Sequence, residues 1–191
     1  MNNDDRTAME TIRGTFASVI ADGLKPQSVR GATDEQIDRW SQEQGVSQVP
    51  AAVREVLRLI GTKHGRWLAG SSFGVSEVDG ETKRYALATL SNEKTEIADA
   101  DTMLVLVGHQ AYSFHIIDGA DLIHPDPPVW VISEGEEAKR VWPSVTKWFE
   151  SASPRVRDIR ERLEMMHEFG DWIDPAWAED IDLEFLNRSD Q

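Results

Sequence analysis

Two apolar runs, Met103 to Val107 and Ala111 to Ile117, stand on either side of Gly108-His109-Gln110. Both are rich in the branched and aromatic side chains that favour a pleated backbone, and so short a connection joins antiparallel neighbours. The pair is expected at the centre of a sheet, with Pro128 to Ser133 beside it behind the Pro-rich stretch at 125 to 128. Upstream, Arg66 to Leu68, Phe73 to Val78 and Arg84 to Leu90 are shorter runs separated by glycine and charged turns. They read as further antiparallel strands, with Asp79-Gly80 as a tight turn. Asn92 to Asp101 is polar and reads as a loop or a single helical turn.

Helical periodicity brackets this region. Met9, Ile12, Phe16 and Ile20 recur at three- and four-residue steps and predict an amphipathic helix from about Arg6 to Ile20. Gly23, Pro26 and Gly31 then break any pattern, so 22 to 32 reads as a linker. Thr33 with Gln36 forms a capping box before Ile37 and Trp40, and this helix is expected to end at Gly45. Pro50 opens a second helix carrying Val53, Val56, Leu57 and Ile60, which Gly61 stops. Trp142, Val145, Trp148 and Phe149 mark one apolar helix face. Ser153-Pro154 and Asp174-Pro175 open two more helices, bearing Ile159, Leu163 and Met166, then Trp177, Ile181 and Phe185.

Charge narrows the classes of partner. The 191 residues carry a net charge of −14, which opposes approach to nucleic acid phosphates and to anionic membranes and favours a basic partner. From Arg160 to Gln191 there are ten acidic and three basic side chains, so −7 of the −14 lies in the last 32 residues. There is no cysteine, which excludes disulfides, thiolate zinc sites, iron–sulfur clusters and a cysteine nucleophile. The first residues lack the basic patch and apolar run of a signal peptide, and Met103 to Val107 is too short to span a bilayer. A cytoplasmic location is expected.

Two capped helices, several strands and a closing aromatic helix follow one another in that order. Along them run Asp34-Glu35-Gln36-Ile37-Asp38-Arg39-Trp40, Glu43-Gln44-Gly45-Val46 and Val49-Pro50-Ala51-Ala52-Val53-Arg54-Glu55-Val56-Leu57. Val105-Leu106-Val107-Gly108-His109-Gln110, Asp126-Pro127-Pro128-Val129-Trp130 and Ser144-Val145-Thr146-Lys147-Trp148-Phe149 come after them. In this order and these residues the chain resembles the SUKH superfamily, which includes fungal cell-wall regulators and many bacterial toxin-immunity proteins. Where the family usually turns through Asn-Gly, this chain has Gly61-Thr62-Lys63-His64-Gly65. The resemblance covers residues 32 to 152, leaving 1 to 31 as an N-terminal helix and linker and 153 to 191 as an acidic helical extension. It implies an α+β fold, a twisted and mainly antiparallel sheet with helices packed against it, and a domain that binds another protein. For many bacterial members that protein is implied to be a toxin, often a nuclease, which is occluded; the fungal members imply regulation or scaffolding with an endogenous partner instead.

The five histidines have no metal-ligand spacing, and no nucleophile elbow or phosphate-binding loop occurs. His124 and Asp126 share one side of an extended chain and make a hydrolase the third alternative. No catalytic residue, cofactor or metal is expected. The candidate partner-binding residues are Glu134, Glu136 and Glu137 after a central strand, and Asp171, Trp172, Asp174, Trp177, Glu179, Asp180, Asp182 and Glu184 in the tail. Trp172 and Trp177 are either interface anchors or docks for the tail, and self-association stays open.

Overall fold

The computed structural model describes residues 3 to 90 and 95 to 187. It begins with helix α1 (Asn3–Ala21), whose Ala8, Ile12 and Val19 are buried, with Phe16 and Ile20 packed alongside. The stretch from 22 to 32 carries more than a linker. A turn of 3-10 helix at Pro26–Ser28 leads into strand β1 (Val29–Arg30), which pairs antiparallel with β2 (Lys63–His64). A Cβ on Gly31 would stand 1.7 Å from the Arg58 carbonyl oxygen, so only glycine lets the chain cross there.

Helix α2 (Asp34–Glu43) starts at the expected capping box. Gln36 N–H donates to Thr33 Oγ1 at 3.3 Å, and Thr33 N–H donates to Gln36 Oε1 at 2.8 Å. It stops just before Gly45, whose φ of 66° lies in the left-handed region. Helix α3 (Ala51–Ile60) follows, with Pro50 as its cap and Val53, Val56, Leu57 and Ile60 buried.

Four expectations between 66 and 90 are corrected. Arg66 to Leu68 is a turn, and of Phe73 to Val78 only the start belongs to a strand, β3 (Ser72–Phe73). Arg84 to Leu90 is not a strand but lies in helix α4 (Gly80–Leu90). Asp79 opens that helix in place of a tight turn: its carboxylate accepts from Thr82 N–H at 2.9 Å and its carbonyl accepts from Lys83 N–H at 3.1 Å. The buried positions are Lys83, Ala86 and Leu90, a helical spacing that a lysine in the middle of the face conceals from an apolar count. Lys83 is tolerated because its Nζ donates to the Gln44 carbonyl at 2.6 Å, and burial lowers its pKa.

The remaining strands are β4 (Leu104–His109), β5 (Ser113–Ile117), β6 (Val129–Ser133) and β7 (Lys139–Trp142). With β3 they form one antiparallel sheet in the order β3-β4-β5-β6-β7. The fold is therefore α+β, with helical segments at both ends of the chain. Strand β7 has no expectation behind it in the sequence, and Trp142, expected on the following helix face, ends this strand instead. That edge strand alternates no apolar face, since Lys139, Arg140 and Val141 are all exposed. The polar stretch at 95 to 101 is non-helical, while 92 to 94 lies outside the described residues. Helix α5 (Val145–Ser151) is capped by Ser144, and α6 (Val156–Glu168), the short α7 (Trp177–Asp180) and a 3-10 turn at Glu184–Asn187 close the chain. The last predicted helix is thus broken, with Ile181 forming a β-bridge to Leu24 between its two pieces.

Each sheet face is covered. One meets α4 through Val105, Phe114, Ile116, Trp130 and Ile132. The other supports the larger core, to which α1 contributes Ile12 and Val19, α3 contributes Val56 and Ile60, and α5 contributes Trp148 and Phe149. Val156, Leu163, Ile181 and Leu183 join that core from the C-terminal region. The Trp67 ring lies in its middle, stacked on Phe16 at 5.7 Å and on Phe149 at 5.5 Å between centroids.

Candidate interaction surface

Glu134, Glu136 and Glu137 lie in the turn between β6 and β7, all exposed. Glu136 is held by Lys139 at 2.7 Å, which lowers its pKa; Glu134 and Glu137 have no ion-pair partner among the described residues. Glu134 N–H donates to the Tyr112 carbonyl at 2.9 Å, which ties this turn to the β4–β5 turn. There Gln110 and Ala111 both have positive φ, 49° and 60°, a turn normally made by Asn-Gly. Tyr112 is exposed beside it, edge-on to His109, and His109 Nδ1 is 3.1 Å from Ser71 Oγ.

The tail residues divide into two groups. Trp177 is half-buried under the Arg66 guanidinium, 4.2 Å from its ring centroid, and Asp180 Oδ2 is 2.7 Å from Arg66 Nε without the alignment of a hydrogen bond. Lys25 donates through its side chain to the Ala178 carbonyl at 2.5 Å and through its main chain to the Asp180 carbonyl at 2.7 Å. Asp182 N–H donates to the Gly23 carbonyl at 2.9 Å. Of the two readings of Trp177, docking of the tail is the one the packing supports. Trp172 differs: it is 76% exposed, and so are the side chains of Asp171, Asp174, Glu179, Asp182 and Glu184.

Two residues of this region escaped the sequence reading. Met165 and Phe169 face solvent on α6 and just beyond it, on the side opposite Leu163. The signal was present, since both fall outside the Ile159, Leu163 and Met166 spacing that marks the buried face.

His124 and Asp126 do not form the pair considered from the sequence. Both Asp126 carboxylate oxygens serve Thr146, accepting from its N–H at 2.9 Å and its hydroxyl at 2.7 Å, and so secure the first turn of α5; His124 is exposed. His115 is the most perturbed histidine: burial, with a smaller effect of His109, lowers its pKa to about 4, and its Nδ1 accepts from the Trp148 indole N–H at 3.1 Å. Among the described residues no three His, Asp or Glu side chains are grouped to hold a metal ion, and no helix is long and apolar enough to cross a membrane.

Fold and surface together define an α+β protein whose sheet is covered on both faces and which carries exposed carboxylates, unpaired among the described residues, on a hairpin end and around a C-terminal helix. No family model and no curated protein matches the chain.

Proposed function

We propose that this chain is a non-enzymatic, cytoplasmic protein-binding domain of the immunity kind, which binds a basic toxin such as a nuclease and blocks it. One observation carries the reading. In a chain of net charge −14, Glu134, Glu137, Asp171, Asp174, Glu179 and Asp182 are exposed and have no ion-pair partner among the described residues. Exposed carboxylates without such a partner attract a cationic protein, speed its encounter and fix its register, while they repel nucleic acid and anionic lipid. The resemblance of residues 32 to 152 to the SUKH superfamily supports the same reading and supplies its toxin-directed form.

The test is co-expression of the chain with a basic toxin encoded beside its gene. Growth arrested by the toxin alone should be restored by the chain, and binding of the purified pair should weaken steeply as salt rises. Binding without relief of toxicity would point to regulation or scaffolding of an endogenous partner. Binding that is insensitive to salt would remove the electrostatic mechanism.

A further inference from the structure

Three of the exposed large apolar side chains fall within eight residues of one another: Met165, Phe169 and Trp172, which are 54%, 78% and 76% exposed. Met165 and Phe169 stand one turn apart at the end of α6, and Trp172 follows the reversal at Gly170, whose φ is 74°. The opposite side of α6 is committed to the core through Val156 and Leu163, with Ile159 and Met166 packed against it. The ridge is therefore what a firmly docked helix presents to solvent. Around it Glu161, Glu164, Glu168, Asp171 and Asp174 are all exposed, and from 161 to 174 Arg162 is the one basic side chain, a local charge of −4 with histidine neutral. None of these charged groups has an ion-pair partner among the described residues.

We infer that Met165, Phe169 and Trp172 form the anchor for a basic protein that offers an apolar pocket rimmed by lysine and arginine. Large aromatic side chains left in water inside a charged ring are the arrangement in which a few residues supply affinity by filling a pocket and the ring supplies steering. The charge selects among occupants. An anionic membrane or a nucleic acid meets five carboxylates, and a second copy of the chain would bring a local −4 against its own equal. A cationic protein surface meets neither obstacle. This inference rests on the partner-binding reading and adds where the partner sits and what its surface is made of.

A photo-crosslinking amino acid placed at position 169 or 172 of the full chain, expressed in its own host, tests it, with Tyr85 on α4 and Tyr112 on the β4–β5 turn as comparison positions. Capture of the same positively charged protein from 169 and 172, and not from 85 or 112, is expected. That protein, purified, should bind the unmodified chain in a salt-dependent manner and lose on the order of 30-fold or more in affinity to Phe169→Ser and to Trp172→Ser. Both variants should keep the thermal unfolding midpoint of the parent, because the two side chains are exposed. Capture from Tyr85 or Tyr112 alone overturns this surface while partner binding stands. Capture of an acidic protein or of a second copy, or an affinity indifferent to salt, overturns the partner chemistry. No capture from any of the four positions overturns the partner-binding reading together with this one.

Discussion

His115 sits on β5 with its Nδ1 accepting the Trp148 indole hydrogen and its ring 5.0 Å from that of Trp142. A neutral imidazole used in this way carries its own proton on Nε2, and protonating Nδ1 would abolish the bond and charge a largely buried ring. The folded-state pKa of about 4 lies below the ordinary 6.5, so between these values the unfolded chain binds the proton more readily. The contribution of His115 is thus complete above pH 6.5 and is lost as pH falls toward 4, by up to about 3 kcal/mol. Urea unfolding measured across that window should show the decline, and His115→Gln should flatten it. An unchanged slope in the variant would assign the acid sensitivity to other groups. The same residue-scale economy governs Glu55, buried at 3% exposure, whose Oε1 is 2.5 Å from Arg13 Nε while Oε2, among the described residues, is paired with Arg58 at 3.6 Å. A buried carboxylate is kept there by guanidinium groups from α1 and α3, so it belongs to the helix packing and not to the free acidic surface.

At the scale of elements, the sheet and the helices are joined by side chains that stand in for main chain. The Gln44 amide, just past α2, accepts from Val105 N–H at 2.9 Å and donates to the Val105 carbonyl at 3.1 Å, where the β4–β5 register shifts between Val105 and Val107. An irregular strand leaves groups that its neighbour cannot satisfy, and here a buried amide completes them. Gln44→Ala should therefore cost about 2 to 4 kcal/mol, by removing two buried hydrogen bonds and leaving both partners unsatisfied. Amide hydrogen exchange should accelerate at Val105 and through α4, because Lys83 reaches the neighbouring Gln44 carbonyl. A cost below about 0.5 kcal/mol would mean that water replaces the amide without penalty. The cap at Asp79 is a smaller device of the same kind. It opens α4 by binding Thr82 N–H, and it could have been read from Asp79-Gly80-Glu81-Thr82 had the following Lys83 not broken the apolar face.

For the whole molecule, the acidic tail is a structural component as well as a charged surface. Ile181 is fully buried, bridges Leu24 and shares a core cluster with Ile12 of α1 and Val56 of α3. Ile181→Ala should lower stability by about 2 to 4 kcal/mol in a single cooperative transition that includes the sheet. An early separate loss of the tail, followed by an unaltered main transition, would show that the tail folds independently. The elements legible along the chain are those whose signals are local: the capping box at Thr33, the periodicity of α1, α3 and α6, the strand runs of β4, β5 and β6, and the excess of carboxylates after Arg160. Caps, periods and net charge depend on residues a few positions apart, so they can be read in order along the chain. Tertiary structure alone decided that 80 to 90 is helical around a buried lysine, that Lys139 to Trp142 is an edge strand, and that of the two tail tryptophans Trp177 docks on Arg66 while Trp172 stays free. Each of these depends on partners that arrive from far along the chain, Gln44 for Lys83 and Arg66 for Trp177, and burial is a property of such meetings and not of the segment itself.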